Sequence, residues 1–187
     1  MRYSRLALIP LLLVACTDRE PAAPDISPEL QPQFCETAFP LGRMTGGGTV
    51  RLLADNGDLV RVTNGFTLHC DVLLSNNLEI NWAGNRWHIE KESLYDVACT
   101  DEPDVSPEPP PAPFDTFEAI ALGRYNGVWG YWIHFKLQDS GEPGGKADRA
   151  SMEIYDPDGN VLLTVPWDVI VNGNIQAHYD QPHGNKP

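Results

Sequence analysis

Apolar residues alternate with polar ones in several short segments of the chain, and this spacing of two is that of β-strands. The alternating apolar residues are Val60, Val62, Phe66, Leu68 and Cys70; Leu78, Ile80 and Trp82; Trp87 and Ile89; Tyr131, Ile133, Phe135 and Leu137; Met152 and Ile154; the segment 161–165; and Ile175, Ala177 and Tyr179. No segment long enough for a stable helix has the period of an amphipathic helix. The sequence therefore predicts an all-β protein with an antiparallel, β-sandwich-like fold.

Glycine, asparagine and aspartate mark the turns between these strands. The sequence AGN at 83–85 predicts a short hairpin turn, and DPDGN at 156–160 predicts a polar turn. The sequence NG at 64–65 predicts a β-bulge inside one strand. The sequence GGG at 46–48 predicts a tight turn or bulge before a strand over 49–53. A phosphate-binding loop is not expected here, because no Lys-Ser/Thr pair and no predicted helix follow the glycines.

Two proline-rich stretches divide the chain. The first stretch, from residue 17 to about residue 33, cannot form a core and predicts an extended spacer. The second stretch, at 101–113, predicts a semi-rigid polyproline connector. The predicted order is a signal peptide at 1–15, a lipidated cysteine with a flexible spacer at 16–43, a first β-unit at 44–100, the connector at 101–113, a second β-unit at 114–180 and a polar tail at 181–187. We expect the two β-units to pack closely, either as two domains or as parts of one sandwich.

The first sixteen residues, MRYSRLALIPLLLVAC, predict export. Arg2 and Arg5 precede an apolar run that is too short to span a bilayer. The segment LVAC that ends at Cys16 resembles the lipobox of bacterial lipoprotein signal peptides. This resemblance implies cleavage before Cys16, acylation of that residue and attachment to a membrane through the lipid; an ordinary secretory signal is the alternative. In the lipoproteins of bacteria with two membranes, an aspartate directly after the acylated cysteine is the usual signal for retention in the inner membrane. Here Thr17 occupies that position and Asp18 lies one place later. We therefore expect delivery to the outer membrane or the cell surface.

The chain is strongly acidic, with 26 Asp and Glu residues against 13 Lys and Arg residues and a net charge of −13. A surface of this sign repels nucleic-acid phosphates and anionic lipid headgroups. We therefore expect no nucleic-acid partner, and we expect membrane attachment through the lipid alone.

The chain has four cysteines, and the lipid accounts for Cys16, which leaves an odd number. Cys70 and Cys99 flank segments that are predicted to be folded, whereas Cys35 lies in the spacer. A disulfide between Cys70 and Cys99 is therefore favoured. A disulfide between Cys35 and either of them is the alternative.

A series of short motifs extends over the predicted folded part of the chain. In order they are MTGGG at 44–48, NGFTLHCD at 64–71, NNLEINW at 76–82, NGV at 126–128, DSGEPG at 139–144 and GNIQAH at 173–178. Together they resemble a widespread bacterial module of unknown function whose copies lie near the C-termini of secreted and surface-anchored proteins. The resemblance implies an exported, β-rich accessory domain with no catalytic residues to carry over.

Acidic residues cluster in one segment, at Asp139, Glu142 and Asp148. Ca²⁺ is bound by about six to eight oxygen atoms, which acidic loops can supply, so these three residues are candidates for a Ca²⁺ site. In the alternative, aspartate and glycine occupy these positions because a turn requires them. No other cofactor is expected.

Aromatic residues are concentrated at Trp129, Tyr131 and Trp132. Because Tyr131 and Trp132 are adjacent on a predicted strand, their side chains must point to opposite faces. Trp132 and Trp129 are candidates for an exposed ligand face, since flat aromatic side chains stack on sugar rings or anchor protein partners. In the alternative, Trp132 covers a second core between the two β-units.

These observations favour a non-catalytic role. We expect an exported, lipid-anchored accessory protein with a structural or binding function at the cell envelope and with a glycan or an envelope protein as its partner. One alternative is a module that binds carbohydrate or an envelope polymer through exposed aromatic residues. A second alternative is a small exported hydrolase, because two carboxylates that are distant in sequence can meet in space.

Overall fold

The structure, a computed structural model, describes residues 42–53, 57–106, 110, 112–141, 147–167 and 172–180, with the backbone alone at 91–92. These residues form nine β-strands: β1 (Gly42–Leu53), β2 (Leu59–His69), β3 (Asn77–Trp82), β4 (Asn85–Thr100), β5 (Thr116–Tyr125), β6 (Val128–Gln138), β7 (Arg149–Tyr155), β8 (Val161–Val165) and β9 (Asn172–Tyr179). The described residues include no helix with the length and apolarity needed to cross a membrane. The predicted signal peptide and Cys16 lie outside the described residues.

The strands of the described region lie in one antiparallel sheet in the order β8-β7-β6-β5-β4-β3-β2-β1-β9. Strands β1 to β8 pair in chain order, and β9 returns to pair antiparallel with the other edge of β1. The predicted all-β, antiparallel fold is confirmed, and the sheet is consistent with a β-sandwich-like arrangement. The segment 101–113 joins β4 to β5, and these two strands pair with each other. The two predicted β-units are therefore consecutive parts of one sheet.

One face of the sheet carries the core, because alternate residues along the strands are buried. All nine strands contribute to one cluster of buried side chains among the described residues. The largest fully buried side chains are those of Trp87, Phe114, Phe117, Phe135, Met44, Leu68, Leu78, Ile80, Ile133, Leu137, Met152 and Ile154. Both halves of the chain therefore share one core.

Short turns join the neighbouring strands. Ala83 and Gly84 have φ angles of 45° and 80°, and the pair Asn126 and Gly127 has φ angles of 49° and 87°. Positive φ at both central residues is the geometry of type I′ hairpins, whose twist matches that of the flanking strands. The hairpin predicted at 83–85 is therefore confirmed.

The polar turn predicted at 156–160 is also confirmed. The Asp156 Oδ1 atom accepts hydrogen bonds from the backbone N–H groups of Asp158 and Asn160, at 2.9 Å and 2.8 Å. The Asn160 side chain donates to Asp156 Oδ2 at 2.9 Å. The side-chain amide of Asn160 and these backbone donors together hold the pKa of Asp156 below its usual value, so the carboxylate remains charged in its turn-forming role.

A disulfide joins Cys70 and Cys99, as predicted, with the two Cα atoms 6.1 Å apart. Cys70 follows β2 directly and Cys99 lies near the end of β4. The bond closes a sequence separation of 29 residues, and the chain-entropy model gives such a loop roughly 3–4 kcal/mol of stabilisation. The alternative partner Cys35 lies outside the described residues.

Two predictions about glycine-rich segments are wrong. The triplet at 46–48 lies inside β1 rather than before it, and NG at 64–65 forms no bulge, because Gly47 pairs with Gly65 and Gly48 with Asn64 in a continuous ladder. The physical reason is a close approach of the two backbones. A Cβ atom on Gly47 would lie 2.6 Å from the carbonyl oxygen of Asn64, so the glycines allow two regular strands to pair at short range.

Candidate functional site

Tyr131 and Trp132 lie on opposite faces of β6, as their adjacency requires. The Tyr131 ring packs against the core with its centroid 5.0 Å from that of Tyr125. Trp132 pairs with Leu122 of β5 and Tyr155 of β7, on the face opposite the core. Among the described residues, Trp132 belongs neither to the core cluster nor to the side chains packed against it.

A bulge at Gly130 places Trp129 on the same outer face as Trp132. Two residues three positions apart on a regular strand point to opposite faces. Here the register of β5 and β6 shifts, so that Trp129 pairs with Arg124 and Gly130 has no partner on β5. Gly130 has a φ of 107°, which a residue without a Cβ adopts readily. The sequence named both tryptophans as candidates but gave no indication of this bulge.

Four aromatic side chains share this part of the sheet, and we call them the outer aromatic face: Tyr95, Trp129, Trp132 and Tyr155. Tyr95 and Trp129 are 42% and 43% exposed. Trp132 is half-buried, with its ring centroid 5.7 Å from that of Tyr95. These rings extend from β4 to β7, so they present a broad aromatic surface to solvent.

Tyr155 supplies a neutral hydroxyl to this surface. Its OH donates a hydrogen bond of 2.6 Å to Glu153. Burial, followed by the hydrogen bond to Glu153 and the charge of that carboxylate, raises the pKa of Tyr155 to about 12. The phenol therefore remains protonated at any physiological pH.

Polar side chains border the outer aromatic face next to Trp129. The guanidinium carbon of Arg124 lies 5.8 Å from the centroid of the Trp129 ring. Arg124 also donates to the carboxylate of Glu90 and, at 3.1 Å, to the carbonyl oxygen of Gly127. His88 lies 3.5 Å from the same Glu90 carboxylate. Because Arg124 is held from two sides, it can fix the orientation of the Trp129 ring by a cation–π contact.

A second polar group follows Trp132 along β6. The Nε2 atom of His134 lies 2.9 Å from Glu118 Oε1, and the Lys136 ammonium lies 4.0 Å from Glu118 Oε2. The hydrogen bond from His134 is the main reason that the pKa of Glu118 is lowered. The outer face of β6 therefore carries two aromatic side chains, Trp129 and Trp132, followed by hydrogen-bonding side chains. This combination suits ligands that have both apolar ring faces and hydroxyl groups.

Two of the three carboxylates considered for Ca²⁺, those of Asp139 and Asp148, bind backbone N–H groups. Asp139 accepts hydrogen bonds from Gly141 and Ala177, each at 2.8 Å. The fully buried Asp148 accepts from Ser140 at 3.0 Å and from Ile175 at 2.8 Å. Glu142 lies outside the described residues. The described part of the chain contains no group of three or more His, Cys, Asp or Glu residues placed to hold a metal ion.

Asp139 and Asp148 have a structural role that the sequence did not indicate. The N–H groups of Ile175 and Ala177 belong to β9, and both are bound by these two carboxylates. The two aspartates lie at the ends of the segment between β6 and β7. They therefore tie this segment to β9 through charge-assisted hydrogen bonds. The only sequence feature related to this role is that the two aspartates lie on either side of a glycine-containing segment.

Histidines are paired with polar residues on β9, β1 and β2, at a distance from the outer aromatic face. His178 Nε2 lies 2.9 Å from the hydroxyl of Thr45. His69 Nδ1 lies 3.1 Å from Asp180, with both side chains at least nine-tenths buried. Arg43 pairs in register with both histidines. A histidine–carboxylate pair is one arrangement, besides two converging carboxylates, that would favour the hydrolase alternative.

Stability should depend on pH through His178. Burial, followed by the charge of Arg43, lowers the pKa of His178, and the opposing effect of Asp139 is smaller. The unfolded chain therefore binds a proton more readily than the folded one between about pH 6.5 and the lowered pKa, and the free energy of unfolding falls as pH decreases through this window. We expect His178→Gln to flatten this slope in urea unfolding measured between about pH 5 and about pH 7. An unchanged slope would show that other groups cause it.

No family model matches the chain, and comparisons with curated proteins and with solved structures give no match. The function is therefore inferred from the side chains of this chain alone.

Proposed function

We propose that this chain is an exported, lipid-anchored accessory protein that binds a polysaccharide at the cell envelope and does not catalyse a reaction. The outer aromatic face carries the proposal. Sugar rings have apolar faces that stack on flat aromatic side chains, and their hydroxyl groups need donors and acceptors at the rim. Trp129 and Trp132 provide the stacking surface on one face of β6. Arg124, Glu90 and His134 provide hydrogen-bond donors and acceptors beside it.

The arrangement of charges also favours a polysaccharide. The net charge of −13 opposes binding to phosphate-rich polymers. Beside the tryptophans, however, acidic and basic side chains occur together, as in the Arg124–Glu90 and His134–Glu118 pairs. A surface of this kind has no strong preference for an anion or a cation, and it presents both donors and acceptors to hydroxyl groups.

Export and anchoring rest on the first sixteen residues. Their basic start, short apolar run and final LVAC segment support cleavage before Cys16 and acylation of that residue. A lipid anchor with a proline-rich spacer would hold the β-sheet domain away from the membrane, where extended polymers are accessible. The glycan-binding surface would then lie on the envelope side of the anchor.

The test is binding to insoluble polysaccharides. Protein expressed from the full sequence is incubated with peptidoglycan sacculi, cellulose or chitin, and binding is measured by its depletion from solution. We expect at least one polymer to deplete the wild-type protein. We expect the double variant Trp129→Ala, Trp132→Ala to lose about tenfold or more in affinity, because two stacking contacts are removed.

Tyr179→Ala is the matched control for this experiment. Tyr179 is a 64% exposed aromatic residue on β9, at the opposite edge of the sheet from β8 and separated from β6 by five strands. Its removal should leave binding unchanged. Absence of depletion on all three polymers, or equal losses for the control and the double variant, would contradict the proposed function.

A further inference from the structure

A cleft of about 630 Å³ lies between the start of the connector, the end of β6 and the start of β7. One wall comes from Glu102 and Asp104 of the connector, and the other includes Lys136 of β6, Arg149 of β7 and Trp167. The Lys136 ammonium lies 5.0 Å from the centroid of the Trp167 ring. The cation thus holds the indole in the cleft by a cation–π contact.

Among the described residues that line this cleft, the charges balance. Glu102 and Asp104 are acidic, Lys136 and Arg149 are basic, and the Lys136 ammonium lies 4.0 Å from Glu102. A cleft with equal numbers of carboxylates and cations has little net attraction for an ion. It offers acceptors and donors around one aromatic ring, which suits a neutral ligand rich in hydroxyl groups.

The cleft continues the outer face of β6. Trp132, His134 and Lys136 point to the same side because they lie two positions apart along β6. Lys136 is four residues from Trp132, which corresponds to about 13 Å along the strand. This distance is longer than a single sugar ring. His134 and its partner Glu118 lie between the two aromatic positions.

We propose that the cleft around Trp167 is a second sugar-binding subsite, and that one polysaccharide chain lies along β6 from Trp129 to Trp167. This inference rests on the proposed function and specifies its ligand as an extended chain rather than a single sugar. Binding at two connected subsites raises affinity, because occupation of the first raises the effective concentration at the second. The affinity should therefore depend on chain length.

The test is calorimetric titration of the full-length protein with two series of soluble probes, chitobiose, chitotetraose and chitohexaose, and the corresponding cello-oligosaccharides. For the series that binds, we expect the hexasaccharide to bind about tenfold more tightly than the disaccharide. Trp167→Ala should remove this gain and leave the affinity for the disaccharide unchanged. Trp167→Phe should retain most of the gain, because a flat ring remains in the cleft.

The outcomes separate the two proposals. If the hexasaccharide gains nothing over the disaccharide, or if Trp167→Ala retains the whole gain, the second subsite is wrong while binding at the outer aromatic face stands. If no probe of any length binds and no insoluble polymer depletes the protein, the proposed function fails and the second subsite fails with it. An equal loss for all chain lengths in both Trp167→Ala and Trp167→Phe would contradict a length-specific role for Trp167.

Discussion

Replacing Gly47 by alanine should destabilise the protein by roughly 3 kcal/mol, because the new methyl group meets backbone that cannot move away. A Cβ atom at this position lies 2.6 Å from the carbonyl oxygen of Asn64 and 3.1 Å from the Cα atom of Gly65. Both belong to β2, which is held to β1 by the ladder and to β3 on its other side. Relief of the contact would require β1 and β2 to move apart.

The measurement is the free energy of unfolding in urea, followed by tryptophan fluorescence. Gly65→Ala is a closely matched control, because Gly65 pairs with Gly47 in the same ladder and has open space where its Cβ atom would lie. It should be neutral or slightly stabilising, since alanine reduces the conformational entropy of the unfolded chain. Equal effects of the two substitutions would show that close strand approach does not explain the glycine at 47.

All the strands except β5, which was not predicted, could be recognised at least in part, because each buries one face against a common core. Alternation at Leu78, Ile80 and Trp82, for example, is an unavoidable consequence of the two-residue period of a strand with one buried face. The turns at 83–85 and 156–160 were predictable for a related reason, since glycine and aspartate relieve the conformational constraints of tight turns. Local physics was sufficient at these positions.

The glycine triplet at 46–48 was misinterpreted because its cause is not local. Glycine is typical of turns, and the residues around the triplet do not distinguish a turn from a strand. What keeps these residues in a strand is the close approach of neighbouring backbones. On the side of β9, a Cβ atom on Gly173 would lie 2.0 Å from the carbonyl oxygen of Gly47. Only the three-strand arrangement of β9, β1 and β2 reveals this requirement.

The candidate site was predictable in composition but not in geometry. Adjacency alone places Tyr131 and Trp132 on opposite faces. The side of the sheet to which Trp129 belongs depends on whether β6 is regular, and the bulge at Gly130 becomes apparent only from the pairing with β5. The place of Trp167 in a cleft with Lys136 and the connector depends on contacts between distant segments.

Replacing Asp148 by alanine should cost about 3–4 kcal/mol, although this carboxylate was first considered as a metal ligand. Its two oxygens accept hydrogen bonds from the N–H groups of Ser140 and Ile175, and the side chain is fully buried. Hydrogen bonds to a charged group contribute about 1.5–3 kcal/mol each, and a buried N–H left without an acceptor adds a penalty. Alanine removes the acceptor from both donors at once.

Asp158→Ala is the matched control, because it removes the same charge from an exposed position in the turn between β7 and β8. Urea unfolding should show little change in the control and a large loss in Asp148→Ala. Hydrogen exchange adds a local test: the Ile175 amide should lose protection in Asp148→Ala beyond the loss expected from global stability. If Asp148→Ala and Asp158→Ala unfold at the same urea concentration, the carboxylate does not hold β9. If they differ and added Ca²⁺ leaves both unchanged, the stabilisation comes from backbone N–H groups rather than from a bound cation.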